Sequence, residues 1–121
     1  MSEEIRQRLE HFIAERQRQN ARILEADHLG ICRFFNLDEA AYRDGALDAK
    51  TKEMLGLVAS LVLRCDACVD YHLMQCVHLG ATEAKLVEVL NVGLIVGGSI
   101  VIPHLRHAFD TLDVLLAQAA G

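Results

Sequence analysis

Apolar residues recur every three to four positions along most of this chain, a spacing that places them on one face of an α-helix. The clearest example spans residues 3 to about 26, where Ile5, Leu9, Phe12 and Ile13 are separated by charged side chains. No segment shows the period-two alternation of a half-buried strand. The pattern therefore predicts an all-α protein with a single domain over residues 1–121.

Capping residues indicate where the next helices begin and end. Asp48 is expected to cap a helix that ends near Leu63. A turn near residues 64–66 then leads into a helix that ends at Leu79, with Gly80 in the left-handed conformation that closes it. These two helices contain most of the residues whose side chains could take part in catalysis or bind a metal.

Two further helices are expected in the last third of the chain. Thr82 caps one that falters at the Gly97–Gly98 pair, and the other runs from Ser99 or Pro103 to about Ala119. Propensity alone would also allow a buried strand over residues 89–102, but no second strand is available to pair with it.

The segment before Asp48 is harder to interpret. Gly and Asn within residues 27–37 favour a loop or a bent segment. Asp38 is expected to cap a short helix that passes through Arg43 and closes near Gly45. With this short helix, the predicted bundle has about six helices.

Composition predicts that the protein assembles with other subunits and argues against nucleic acid as a partner. Of the 121 residues 52% are hydrophobic, and the mean hydropathy is +0.21, so apolar surface covered by another subunit is expected. The net charge of −5 and the lack of a basic stripe argue against nucleic acid. Five arginines of the first helix alternate with glutamates, which predicts a solvated helix face. They are Arg6, Arg8, Arg16, Arg18 and Arg22.

Nothing in the sequence predicts a secretory signal or a membrane span. The N-terminus is acidic and lacks an apolar core. The longest apolar run, residues 89–102, is interrupted by Asn91 and three glycines and is shorter than the ~20 residues a span needs. A cytoplasmic location is expected, where cysteines stay reduced unless they serve redox or metal chemistry.

The most informative motif is a pair of cysteines followed by a histidine. Cys65, Cys68 and His72 are spaced by three and four residues, so a helix would place them on one stripe. Glu53 lies twelve residues before Cys65, beside a mostly apolar segment, where burying a carboxylate requires a partner. If the two helices pack antiparallel, Glu53 can orient His72 or pass its proton onward.

Such a dithiol can cycle between thiols and a disulfide. Attack on a peroxide would give a sulfenic acid on one sulfur, which the other sulfur resolves. His72 is one helical turn from Cys68 and two from Cys65, so we expect it to activate Cys68. Cys65, at the mouth of the helix, is then expected to be the more exposed thiol and to meet the reductant.

Other roles for these residues remain open at this point. A zinc site could form from Cys65, Cys68 and His72 with His78, Cys76 or Glu53 as a fourth ligand, and the cysteine spacing could also be accidental. Glu53 could simply pair with Lys50 or Arg64.

The cysteines and histidines elsewhere suggest less. Cys32 and Cys76 are expected to be buried and inert, and His78 to interact with the end of its helix. His104 and His107 are three residues apart, so they could bind a metal with an outside ligand, although a place on the surface or in a pocket wall is favoured.

The extended motif resembles the carboxymuconolactone decarboxylase superfamily, in its AhpD-like alkylhydroperoxidase branch. The resemblance rests on Glu53, eleven intervening residues and Cys65-x-x-Cys68-x-x-x-His72, together with Gly80-Ala81-Thr82 and Gly97-Gly98-Ser99. It covers roughly residues 48–118, and residues 1–47 show no resemblance of their own.

The resemblance implies an all-α fold, a homotrimer or hexamer, and no bound cofactor or metal. It implies that Cys68 attacks, Cys65 is its disulfide partner, and His72 and Glu53 relay protons. A small peroxide would be the substrate and a dihydrolipoyl- or thioredoxin-like thiol the reductant. Decarboxylation is not expected, because the decarboxylases of the family lack the dithiol.

Two features depart from the family pattern. His104 and His107 stand where many relatives have small apolar residues, and Asp66 between the cysteines would oppose thiolate formation if it pointed inward. The sequence thus predicts a thiol-dependent peroxidase or disulfide reductase. The alternative is a non-catalytic oligomer on the same scaffold that senses redox state or binds metal.

Overall fold

The computed structural model describes residues 2–121, and six α-helices account for most of them. The helices are α1 (Ser2–Glu25), α2 (Leu29–Ala41), α3 (Ala49–Val62), α4 (Asp66–His78), α5 (Glu83–Gly97) and α6 (Ile102–Ala120), with a 3-10 turn at Ser99–Val101. No strand occurs in this part of the chain. The predicted all-α class and the number of helices are confirmed, and the alternative of a strand over residues 89–102 is wrong.

The predicted caps hold the helix termini in place. The Asp48 carboxylate accepts a hydrogen bond from the Thr51 amide at 2.7 Å, and the Thr82 hydroxyl accepts one from the Lys85 amide at 3.3 Å. Gly80 has a φ of 88°, as the end of α4 requires. Each cap satisfies a helix-end group that has no partner within its own helix.

The prediction of a loop over residues 27–37 is wrong, because helix α2 occupies most of that segment. The ring of His28 caps it, accepting a hydrogen bond from the Ile31 amide at 3.4 Å. Gly30 lies in the first turn, where a helix tolerates it more readily than in the interior. Asp38 therefore lies inside α2 and does not cap a separate short helix, and Tyr42 ends α2 before Gly45 is reached.

The core is formed mainly by α3, α4, α5 and α6. Leucines and smaller apolar residues from all four helices are fully buried in it, and Leu9 of α1 joins them where α1 packs on α6. Close packing of α5 on α3 depends on Gly93, since a Cβ there would lie 2.8 Å from Leu61 Cδ2. Each fully buried leucine contributes about 1.5–3 kcal/mol of transfer free energy.

A tight turn joins α3 to α4. The Arg64 amide donates to the Leu61 carbonyl and the Cys65 amide to the Ser60 carbonyl, both at 3.0 Å, which is the Schellman pattern. Arg64 has a φ of 60°, a left-handed conformation that costs a non-glycine residue about 1 kcal/mol. The turn reverses the chain, so α3 and α4 pack antiparallel, and the same Cys65 that closes the turn begins α4.

The charged face of α1 is only partly solvated, contrary to prediction. Arg6 and Arg18 pair with glutamates of their own helix. Arg8 instead reaches the buried carboxylate of Asp70 in α4 at 2.9 Å. This ion pair fixes α1 against the bundle.

Asp70 is the centre of a polar network that joins three helices. Its carboxylate, in a residue only 2% exposed, also accepts a hydrogen bond from Thr111 Oγ1 at 2.6 Å and contacts His107 Nε2 at 2.9 Å. Arg8 donates to Thr111 at 2.8 Å. Buried charge is tolerated here because every oxygen of the carboxylate has a partner.

None of the helices within residues 2–121 is both long and apolar enough to cross a membrane.

Several large apolar side chains remain exposed. Those more than 60% exposed are Leu29, Phe34, Leu37, Leu63, Ile95, Val96 and Ile100. Helix α2 buries none of its residues, although its sequence is apolar. Such surface is typical of a subunit in an oligomer.

We expect the protein to form a homo-oligomer, a trimer or a hexamer, because one subunit leaves this apolar surface uncovered. Light scattering at micromolar concentration should give three or six times the subunit mass of 13.4 kDa. Phe34→Glu should lower the oligomer mass or stability if α2 lies in the interface. A stable monomer of the wild-type chain would contradict the expectation.

The polar network predicts a pH dependence of stability. The hydrogen bond between His107 and Asp70 raises the pKa of His107 above the usual 6.5, although burial and the charge of Arg8 act to lower it. Folding therefore gains stability that is fully present below about pH 6.5 and lost as the pH rises through the folded-state pKa.

Urea unfolding between pH 6 and 8.5 should show this loss, and His107→Gln should remove that part of the slope. His11→Gln, at an exposed position of α1, is the matched control and should keep the wild-type slope. Equal slopes for wild type and His107→Gln would contradict the assignment.

Candidate active site

The two cysteines of the motif lie together at the beginning of α4. Cys65 is the N-cap, and its Sγ accepts a hydrogen bond from the Cys68 amide at 3.3 Å. The sulfur atoms are 2.6 Å apart, so a disulfide can form without rearrangement of the backbone. The two thiols thus lie next to each other at a helix N-terminus, and their pairing as a disulfide stays a prediction.

The relative exposure of the two thiols is the reverse of the prediction. Cys65 is half-buried and Cys68 is exposed. The reason is the cap, because the Cys65 side chain folds back over the end of α4 to accept the amide. Cys68, in the first turn, faces outward into a cavity and is the thiol that a small molecule reaches.

The environment of Cys68 opposes its ionisation in the dithiol state. Partial burial raises the pKa of Cys68 to about 11, and the hydrogen bond and charge of Cys65 act in the same direction, while Arg16 lowers it. Asp66 is directed toward α6, where its carboxylate contacts His104 Nδ1 at 2.8 Å. The concern that Asp66 points inward at the thiols is thereby removed.

Glu53 and His72 form the pair that the sequence predicted. Glu53 Oε1 lies 2.7 Å from His72 Nδ1, and the glutamate is only 5% exposed. Its partner is therefore the histidine, and not Lys50 or Arg64. Since Nδ1 is occupied by the carboxylate, Nε2 is the ring nitrogen left to exchange a proton on the other side.

Three neighbours hold the His72 ring in place. Tyr42, at the end of α2, and Tyr71 lie with their ring centroids 5.4 and 5.2 Å from it. Gly56 of α3 provides the remaining space, because a Cβ there would lie 2.7 Å from His72 Cε1. Glu53 and Gly56 are three residues apart on one face of α3, so one binds the ring and the other makes room for it.

Two cavities open on either side of this pair. The smaller, about 360 Å³, is lined by Cys68 and His72, and the larger, about 650 Å³, by Glu53 and Tyr42. Arg16, Asp38 and Tyr71 line both cavities. The Glu53–His72 hydrogen bond therefore joins a residue of the cavity that contains the exposed thiol to a residue of the larger cavity.

Several residues of the site were not found by sequence reasoning. Arg16 lies over the Tyr71 ring, with its guanidinium carbon 4.1 Å from the ring centroid. Tyr71 is adjacent to His72 in the sequence and could have been noticed for that reason. Arg16 and Tyr42 belong to other helices, and no spacing rule connects them to the dithiol.

The remaining cysteines and histidines partly follow the predictions. Cys76 is fully buried, and burial raises its pKa to about 12, as expected for an inert thiol. Cys32 is half-buried and lines the larger cavity, so the prediction of a buried position is wrong for it. His104 and His107 contact Asp66 and Asp70. Within residues 2–121, no three His, Cys, Asp or Glu side chains group as a metal site would require.

Comparison with protein families identifies the class to which this fold and motif belong. The chain matches the carboxymuconolactone decarboxylase family over residues 33–111, and it belongs to that family. An uncharacterised protein of Cupriavidus necator is 30% identical over 105 residues, covering 87% of this chain and 93% of the relative. The family expected from the motif is confirmed.

Solved structures agree with this assignment. A Thermotoga maritima crystal structure is 52% identical, covers 89% of this chain and 95% of its own, and superposes with a TM-score of 0.87. A second Thermotoga maritima structure, at 51% identity and a TM-score of 0.84, is of a carboxymuconolactone decarboxylase family protein with a suggested part in antioxidative response. It covers 88% of this chain and 91% of its own. A Legionella pneumophila family member, solved in its apo form, is 28% identical with a TM-score of 0.78 and covers 93% and 97%.

The contact of Gly56 with His72 predicts a reversal in the sign of a mutation. Gly→Ala within a helix normally stabilises by about 0.5–1 kcal/mol. Here Gly56→Ala should destabilise by about 1–2 kcal/mol, because the new methyl group displaces the ring from the buried Glu53 carboxylate.

In a His72→Ala background the same substitution should stabilise the fold, since the ring is absent. Urea unfolding of the four proteins of this cycle gives the coupling energy directly. Stabilisation by Gly56→Ala in both backgrounds would show that the glycine makes no room for His72.

Proposed function

We propose that this protein is a thiol-dependent peroxidase or disulfide reductase of the alkylhydroperoxidase type. The observation that supports it most is the arrangement of an exposed thiol, a second thiol whose sulfur is 2.6 Å away and a buried Glu53–His72 pair beside two neighbouring cavities. Each part has a role in reducing a peroxide with two electrons. The family assignment and the suggested antioxidative role of the Thermotoga maritima relative point the same way.

In the first step, the Cys68 thiolate attacks an oxygen of the peroxide. An S–O bond forms as the O–O bond breaks, giving a sulfenic acid on Cys68 and an alcohol or water as the leaving group. Cys68 is suited to this step because it is exposed and lines the 360 Å³ cavity together with His72. Its proton passes to a base beforehand, and the leaving oxygen takes up a proton as it departs.

His72 is the proposed base and acid in this exchange. Glu53 holds Nδ1 and stabilises the imidazolium that forms when Nε2 accepts a proton. Glu53 also lines the larger cavity, so protons can reach solvent without crossing the thiol site. Both residues therefore act on proton transfer, and neither forms a bond to the peroxide.

In the second step, Cys65 resolves the sulfenic acid. The Cys65 sulfur attacks the Cys68 sulfur, and a disulfide forms. The hydroxyl group of the sulfenic acid takes up a proton and leaves as water. A dithiol reductant of the dihydrolipoyl or thioredoxin type then returns the pair to thiols and is itself oxidised. Since Cys68 is the more exposed sulfur, we propose that the reductant attacks it first and releases Cys65, which contrasts with the order expected from sequence.

The assignment of the two sulfurs can be tested by trapping sulfenic acid with dimedone. In a Cys32→Ser background, which removes the third accessible thiol, Cys65→Ser should form one stable adduct on Cys68 when treated with peroxide. Cys68→Ser should form none, because the remaining thiol is half-buried and lies farther from His72. Mass spectrometry of the peptides locates the adduct.

An adduct on Cys65 in the Cys68→Ser variant, without one on Cys68 in the Cys65→Ser variant, would reverse the roles. No loss of thiols from the wild-type protein with any peroxide would contradict peroxidase function. Stoichiometric bound zinc in purified protein, with the thiols protected, would favour the metal-binding alternative.

A further inference from the structure

Arg16 differs from three of the other arginines of α1. Arg6, Arg8 and Arg18 each pair with a carboxylate. Among the residues that the structure describes, no carboxylate lies within 4.0 Å of the Arg16 guanidinium. Its guanidinium carbon instead lies over the Tyr71 ring, 4.1 Å from the centroid, an arrangement that fixes the position of a cation without neutralising it.

The position of that cation is set by the two cavities. Arg16 lines both of them, and in the smaller one it shares the wall with Cys68 and His72. Tyr71, which carries the guanidinium, lies between Cys68 and His72 in the sequence of α4. The same helix turn therefore presents the thiol and holds the cation beside it.

Cys68 needs such a charge. Partial burial and Cys65 raise the pKa of Cys68 to about 11, and Arg16 is the group that lowers it. The other titratable groups around this thiol are His72 and Tyr71 of α4 and Asp38 of α2, with Glu53 of α3 behind His72. Asp38 is an anion, and the charge of His72 depends on its protonation, so Arg16 supplies the permanent positive charge.

We propose that Arg16, held by Tyr71, is a positioning residue that stabilises the Cys68 thiolate electrostatically. The proposal deepens the proposed function, and its relevance to peroxide reduction rests on that function. It assigns a role to α1, which lies outside residues 33–111 matched by the family. His72 removes the proton, and Arg16 stabilises the anion that remains.

The test measures the thiol itself and does not require turnover. Alkylation of Cys68 by iodoacetamide is followed in the Cys65→Ser variant by peptide mass spectrometry between pH 6 and 10.5. Arg16→Gln should slow alkylation about threefold or more at pH 7.5 and shift the rate–pH profile upward by about half a pH unit, because a smaller fraction of the thiol is ionised at each pH. Arg16→Lys, which keeps the charge, should recover most of the rate.

Two controls separate this role from others. Arg18→Gln removes an exposed arginine that pairs with Glu15, and it should leave the pH profile unchanged. Across this pH range, Arg16→Gln should slow neutral iodoacetamide clearly and should slow iodoacetate, an anionic reagent, at least as much, because iodoacetate also loses its attraction to the guanidinium. Urea unfolding confirms that the variants are equally folded at each pH.

An unchanged rate–pH profile in Arg16→Gln would overturn the proposal. Slowing of iodoacetate alone would also overturn it, since Arg16 would then attract anionic molecules without stabilising the thiolate. If the pH profile shifts as expected but the wild-type protein reduces no peroxide, the role of Arg16 stands and the proposed function fails. The two ideas are therefore tested separately.

Discussion

The site depends on one buried hydrogen bond, between Glu53 of α3 and His72 of α4. A carboxylate that is 5% exposed would cost several kcal/mol if it had no partner, so the two helices must meet in a single register. The Schellman turn at Arg64 fixes that register by reversing the chain within three residues. Gly56 then allows the ring to approach α3 closely enough for the 2.7 Å contact.

The same turn determines what each cysteine can do. Cys65 both follows the end of α3 and caps α4, so its sulfur is directed back toward backbone amides, which favour negative charge. Cys68 does not cap the helix, and its side chain faces the cavity. The helix end therefore does not stabilise its sulfur, and its pKa is raised. The more exposed sulfur is thus the one whose ionisation its surroundings oppose. Under the proposed function, Cys68 therefore needs other groups to activate it, and His72 with Glu53 of α3 and Arg16 of α1 are placed to do so.

Much of this arrangement could be predicted from the sequence because it is local. Asp48, Thr82 and Gly80 fix helix ends through contacts within a few residues, and the spacing of Cys65, Cys68 and His72 requires only that α4 be helical. The contact of Glu53 with His72 needed one further assumption, antiparallel packing, which the short connection makes almost unavoidable. Local rules and a short turn together gave the centre of the site.

What could not be predicted depends on contacts between distant parts of the chain. Helix α2 contains Gly and Asn that signal a loop, yet it is helical and buries none of its residues, so neither local propensity nor a core in the subunit identifies it. Arg8 and Arg16 belong to the same charged pattern as Arg18, but they reach Asp70 and Tyr71, which are 62 and 55 positions away in numbering. No periodicity distinguishes an arginine that meets solvent from one that meets a buried acid or a ring.

These long-range contacts divide the work of the molecule between two regions. Residues 33–111, which match the family, contain the dithiol, its histidine and its glutamate, on which the proposed reaction rests. Helix α1 contributes Arg16, Phe12 and Gln19 to the wall of the cavity that Cys68 faces. Under the proposed function, a substrate in this cavity would therefore contact side chains of α1. In the proposed function, the residues of the shared bundle would determine the type of reaction, and α1 would influence its rate and selectivity. The Arg8–Asp70 ion pair holds α1 in place.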